Sequence, residues 1–264
     1  MKGEWILTRK TEQIRMELNQ LDGNVLTVYL NTNPRSEDWK IRLKNGLRKT
    51  EEYVAASNPE QVKEFKKICK KVDTTIKNNQ VSFTNSLICF GSTKHLYIYH
   101  LQVPVENDFQ WKEGPAKEQM EALMDKYSKS GVILLQRDKV TLLTSSLGEL
   151  IHQTHYELDL EKEDWKQYKG LAYGSVFASS TNHRDKFDRR IRENQARWFR
   201  RIVPAIERYA RNQKWKNTHL AGPAELTNEM KKQLNLNITG ETTRNYSGKS
   251  AHAILERTVL APGS

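Results

Sequence analysis

The chain has 264 residues, 37% of them hydrophobic and 28% charged, which is room for two domains of ordinary size and excludes a disordered or collagen-like polypeptide. Only two cysteines occur, Cys69 and Cys89, which excludes a disulfide framework and a four-cysteine zinc site, and no segment approaches the roughly 20 apolar residues of a membrane span. The 43 basic against 32 acidic side chains leave a net charge of +11, which favours a polyanionic partner in a cytoplasmic protein, since MKGEWILTRK lacks the apolar run of a signal peptide.

Residues 11–22 read as a helix with Ile14, Leu18 and Leu21 on one face and Gly23 as its stop. Residues 26–31, LTVYLN, form a buried strand; after the turn NTNPRS, Trp39, Leu43, Leu47 and Val54 mark a second, strongly basic helix. Asn58 as cap, Pro59 at the first helical position and Gln61 three beyond the cap announce a third helix. Its Val62, Phe65, Cys69, Val72 and Ile76 recur every three or four residues and should face the core. Lys63, Lys66, Lys67, Lys70 and Lys71 lie opposite, either as the solvated face that amphipathic helices routinely have or as a contact with RNA. Residues 85–90 and 95–103 make a hairpin around GSTK, residues 104–114 a polar connection, and Pro115 opens a helix with Met120, Leu123, Met124 and Tyr127 inward. The domain boundary falls at 128–131, giving an N-terminal α/β domain, 1–130, and a second, 131–264.

The second part opens with strands 131–136, 140–146 and 149–158, whose short turns make an antiparallel meander. The acidic segment DLEKEDWKQ and the small-residue stretch YKGLAYGSVFASSTNH read as linker and loop; Asp159, Glu161, Glu163 and Asp164 form a solvated charge run within it. His152 and His155, three apart on a strand, point to opposite faces and are expected to be exposed strand residues with no metal between them. A strand THLAGP, a helix over 224–234, the short strand LNITG and a helix over 251–260 complete the chain, with Gly248 at a turn. Strands mixed with amphipathic helices give an α/β fold of mixed sheets with flanking helices, in two domains.

Charge is concentrated at residues 183–201, HRDKFDRRIRENQARWFRR. Arg184, Lys186, Arg189, Arg190, Arg192, Arg197, Arg200 and Arg201 stand against Asp185, Asp188 and Glu193, eight basic residues to three acidic ones. Such a cluster seeks phosphate. From Trp198 on, Phe199, Ile202, Val203, Ile206 and Ala210 recur at helical spacing, so the basic part should be an exposed loop leading into a packed helix, with Gln195 at the junction. Pro204 should kink or divide that helix.

The order of meander, basic stretch ending in Gln, helix with WFRR and then THLAGPAELTNEMKKQL resembles the central domain of archaeo-eukaryotic class I peptide chain release factors. LTVYLNTNP, the SLICFGS and LYIYHLQV hairpin and GVILLQRDKVTLLTSSLGELIHQ extend the likeness to the bacterial branch of that superfamily, which is related to the peptidyl-tRNA hydrolases of ribosome quality control. The resemblance implies a ribosomal partner, through rRNA and peptidyl-tRNA, with no cofactor, metal or membrane. It also implies that Gln195 is the catalytic carboxamide, that Glu193 and Asn194 form the loop tip, and that the eight basic residues bind RNA. Where the family has Gly-Gly before the Gln, this chain has Glu193 and Asn194, so hydrolysis of peptidyl-tRNA and A-site binding without hydrolysis both stay open. The junction Ala55, Ala56, Ser57, Asn58, Pro59, Glu60 stands where codon readers carry Asn-Ile-Lys-Ser, and no stretch matches a GTPase-recruiting third domain. The expectation is a two-domain factor that enters the A site of stalled ribosomes and promotes peptidyl-tRNA hydrolysis in ribosome rescue, the alternative being a non-catalytic A-site factor of hibernating ribosomes; its GTPase escort, if any, is unspecified.

Overall fold

Two strands of unbroken apolar character, NVLTVYLN and SGVILL, each sit inside a sheet covered on both faces, which is why neither shows polar alternation. The computed structural model describes residues 4–33, 38–159, 164–169, 181–246 and 248–260, and divides into two compact units, Met1–Lys126 and Tyr127–Ser264.

In the first unit, helix α1 (Glu4–Leu18) ends near Gly23, whose φ of +67° sets the turn into strand β1 (Asn24–Asn31). Helices α2 (Trp39–Ser57) and α3 (Val62–Asn78) follow, then the hairpin of β2 (Ser86–Gly91) and β3 (Leu96–Leu101), strand β4 (Asp108–Glu113) and helix α4 (Glu118–Lys126). The sheet is antiparallel in the order β3-β2-β1-β4. Helices α2 and α3 cover one face, where Leu43, Leu47, Val54, Phe65, Ile68, Val72 and Ile76 meet Leu26, Val28, Leu30, Leu87 and Cys89. On the other face, Tyr29 donates its hydroxyl proton to the Ala116 carbonyl at 2.7 Å and accepts from the Met120 amide, tying α4 to the central strand. Tyr97 and Tyr99 donate to Gln20 and Glu17 and so hold the α1 end of the chain.

Three details depart from the sequence expectation. Residues 108–113 are a strand, not a polar connection: Phe109 and Trp111 point alternately to the α2/α3 core while Asp108, Gln110 and Lys112 point away, as an edge strand allows. Gly46 on α2 makes room for it, because a Cβ there would lie 2.3 Å from the Phe109 ring. The capping box at Asn58 does not form; Pro59–Gln61 is a short 3-10 turn, and the Gln61 side chain instead accepts from Trp111 Nε1 at 2.7 Å. Between Phe65 and Val72 on α3 it is Ile68 rather than Cys69 that is buried, with Cys69 half-buried.

The second unit begins with β5 (Ser130–Leu135), β6 (Lys139–Ser146) and β7 (Glu149–Asp159), an antiparallel meander extended by β8 (Asp164–Lys169). That fourth strand takes up part of the expected linker; the expected loop over 170–180 lies outside the described residues. Helix α5 (Thr181–Gln213), strand β9 (Asn217–Ala221), helix α6 (Ala224–Gln233), strand β10 (Ile238–Thr242) and helix α7 (Ala251–Leu255) with a π turn over 256–260 complete it. The mixed sheet runs β10-β9-β5-β6-β7-β8, with β9 parallel to both β5 and β10. Ile133 and Leu135 face α5 and α6, while Val132 and Leu134 face α7, so successive residues of β5 serve two cores. Gly131 lies under Trp215, where a Cβ would come within 2.0 Å of the ring.

Candidate nucleic-acid interface

Helix α5 carries the site. Its C-terminal half is amphipathic: Trp198, Phe199, Ile202, Val203, Ile206 and Ala210 are buried, and Phe199 through Ile206 pack on Ile133, Leu142, Tyr156 and Leu220 of the sheet. Tyr209 adds a 2.6 Å hydrogen bond to His152 Nδ1 on β7. Pro204 lies within the helix without dividing it. Proline removes one backbone donor and crowds the preceding turn, at a cost of about 3 kcal/mol. The buried residues at 202, 203 and 206 flank it, and their packing holds the helix together across it.

The N-terminal half differs from expectation. Residues 181–195 were expected as a loop, but they are the first fifteen residues of a helix 33 residues long. The physical reason is composition: no glycine or proline occurs between Thr181 and Val203, and Arg, Lys, Glu, Gln and Ala, which supply much of that stretch, are strong helix formers. Arg184, Lys186, Arg189, Arg190 and Arg192 therefore stand on a helical backbone, as do Glu193, Asn194 and Gln195, which were expected at a loop tip. Gln195 sits inside the helix rather than at its start.

Immediately after it the helix is braced. Gln233 at the end of α6 donates its amide to the Ala196 carbonyl at 3.2 Å and also to Glu229, and the Asn235 amide donates to Glu207 at 2.8 Å. Ala196, Arg197, Arg200 and Arg201 are exposed while Trp198 and Phe199 between them are buried. The three arginines thus share the solvent side of a helix whose opposite side is fixed to the sheet. Sequence reading found these arginines; it missed Gln233, whose role is visible only once α6 is placed beside α5.

The other candidates resolve as structure. His155 is buried, not exposed: it stacks on Tyr168 with ring centroids 5.2 Å apart, and its Nε2 lies 3.4 Å from Glu157. Burial and nearby Lys139 push its pKa below the usual histidine value. Burial likewise lowers His219 and pushes the Cys69 and Cys89 thiols up to about 11 and about 12, so neither thiol is a thiolate at neutral pH. Among the described residues no group of three His, Cys, Asp or Glu side chains is placed to hold a metal, and no helix is long and apolar enough to cross a membrane.

A mixed β-sheet between helical layers, with a long basic helix on one side, defines the second unit, and comparison with known proteins gives it a family. The model of bacterial archaeo-eukaryotic release factor family 5 matches residues 128–260. The chain belongs to that family and is release-factor-like. It is 27% identical over 259 residues to the uncharacterized protein YocB of Bacillus subtilis, an alignment covering 96% of this chain and 97% of that one. Among solved structures, an archaeal translation termination factor, aRF1, aligns over 94% of this chain and 72% of its own at 13% identity, with a TM-score of 0.31. A chain described as an archaeal protein aligns to the same extent.

Proposed function

We propose that this protein enters the A site of stalled or idle ribosomes, lays the basic half of α5 against rRNA, and occupies the site without hydrolysing peptidyl-tRNA. The single observation carrying this reading is that α5 runs unbroken through Glu193, Asn194 and Gln195. Ester hydrolysis at the peptidyl-tRNA needs water held in line with the carbonyl and a partner for the oxyanion. A glutamine carrying that water must approach the ester along a backbone free to take positive φ, which glycine supplies. Glu193 and Asn194 are not glycines, and a helical backbone holds both in the right-handed region. Binding has no such requirement. Eight basic residues over 183–201 neutralise phosphates wherever along the helix they stand, and the exposure of Arg197, Arg200 and Arg201 supports this.

A second reading, hydrolysis at Gln195, is favoured by one specific observation: the glutamine is retained directly before Ala196, Arg197, Trp198, Phe199 and Arg200, the Arg- and aromatic-rich helix of the family. Co-sedimentation with ribosomes and peptide release from ribosome-nascent-chain complexes separate the readings. Occupancy predicts salt-sensitive co-sedimentation, at least tenfold weaker after Arg189, Arg190 and Arg192 are all changed to Glu, with no release above background. Release by wild type that disappears in Gln195→Ala would establish the second reading. Co-sedimentation indifferent to the three reversals would dispose of the first reading.

A further inference from the structure

The first unit carries a basic surface of its own. Helices α2 and α3 together hold eleven Lys and Arg residues against four Asp and Glu, whereas the rest of residues 1–130 holds ten against thirteen. The positive charge of that half of the chain therefore lies in one helical layer. Between the two helices runs an open groove of about 730 Å³. At its base lie the buried Trp39 and Leu47 and the half-buried Cys69. Its rims are rows of cations at helical spacing: Lys40, Lys44 and Arg48 along α2, and Lys66, Lys70 and Lys77 along α3. Residues four apart on a helix recur about every 6 Å, so each rim is a ladder of charge along the groove.

Two acids also line it, and each is occupied. Glu51 pairs with Lys66 at 3.2 Å across the helices, and Asp73 pairs with Lys77 at 2.7 Å. Arg48 pairs with Glu52 at 3.9 Å along its own helix, Lys40 lies 5.5 Å over the Trp39 ring, and Lys44 and Lys70, which line opposite helices, form no ion pair among the described residues. The groove thus keeps one cation on each helix, Lys44 and Lys70, that no acid takes up among the described residues. A single charged helix face would be a solvated face; cations on both sides of a groove are a different arrangement.

We infer that the α2/α3 groove holds a single strand of RNA, its phosphates on the two lysine rims and its sugars along the groove between them, over the half-buried Cys69. A groove of about 730 Å³ lined by cations can track the backbone of one strand and is too small for a duplex. Gln80 at the end of the groove is an uncharged donor and acceptor suited to a 2′-hydroxyl, the group that separates RNA from DNA. Nothing in the groove offers a fixed set of donors and acceptors to a particular base edge, so binding is independent of sequence. This inference does not rest on the A-site reading, and its test involves no ribosome.

The test is fluorescence-anisotropy titration of a labelled oligouridine of about 12 nucleotides, a length in the range that single-strand sites occupy. The full chain is used with Arg189, Arg190 and Arg192 changed to Glu, so that α5 does not contribute. Lys44→Glu with Lys70→Glu should weaken binding at least tenfold. Lys44→Gln with Lys70→Gln should weaken it less and flatten the plot of log K against log salt by about 1.4, two lost phosphate contacts at about 0.7 each. Both pairs lie on exposed rims, and unchanged circular dichroism would show that they fold. Unaltered affinity and salt slope would overturn the inference. So would polyglutamate competing as well as the oligouridine, which would make the groove an acidic-polypeptide site, or equal binding of oligodeoxythymidine, which would remove the assignment to RNA. Failure of peptide release or ribosome binding by the full chain would leave this result untouched.

Discussion

The molecule has two strongly basic regions built in opposite ways. The lysines of α2 and α3 stand on helices anchored along their length by Leu43, Leu47, Val54, Phe65, Ile68, Val72 and Ile76. The basic half of α5 has only Phe187 and Ile191 as large apolar residues between Thr181 and Gln195, whereas Trp198, Phe199, Ile202, Val203 and Ile206 follow at helical spacing and are buried. One basic surface therefore lies over a core along its whole length, and the other is a stretch poor in apolar residues that continues into a packed half. Charge alone does not distinguish the two; the apolar spacing under the charge does.

Trp198→Ala removes the first anchor of α5 and should destabilise the second unit by about 3–5 kcal/mol, read as a lower urea midpoint, with no change in the first unit. Replacing Glu193 and Asn194 together by glycine should cost on the order of 1 kcal/mol of helix, seen as lost helicity, and should make Gln195 competent for peptide release if a glycine hinge is what hydrolysis lacks. The same change made on α2 at Lys44 and Asn45 should cost helix propensity without freeing the segment, because the Leu43 and Leu47 packing remains. Lowering the pH should weaken the second unit. His155 and His219 have folded pKa values below the ordinary 6.5, so stability is full above about 6.5 and falls as the pH drops through the unfolded and then the folded value. A denaturation series between pH 7.5 and 5 should show that loss, and His155→Gln should make it shallower. Smallest of all, Gln195→Ala should leave stability within about 0.5 kcal/mol, since alanine is the better helix former.

Much of the fold was legible. Strands 26–31, 131–136 and 140–146 and the stripes of α2, α3 and α4 show their periods directly, because each buries one face or two. What escaped depended on partners distant in sequence. The strand DFQWKE hides its alternation in a polar run, and only pairing with β1 and the gap at Gly46 explain it. Asn58, Pro59 and Gln61 have the letters of a capping box, but Trp111 takes the Gln61 side chain. His155 looked exposed on its strand until Tyr168 of β8 was placed over it. At the candidate site the arginines and Gln195 could be named from the sequence. The helix beneath them was missed because the family's glycine loop was carried onto a stretch that has no glycine.

That helix is the hinge of the account, and amide hydrogen exchange across residues 185–200 tests it directly. A helix continuous from Thr181 predicts slowed exchange at Arg189 through Asn194 as well as at Trp198 and Phe199, with protection rising gradually toward the packed half. Free exchange up to Gln195 followed by an abrupt onset of protection at Ala196 would contradict it, and would return Gln195 to the tip of a loop.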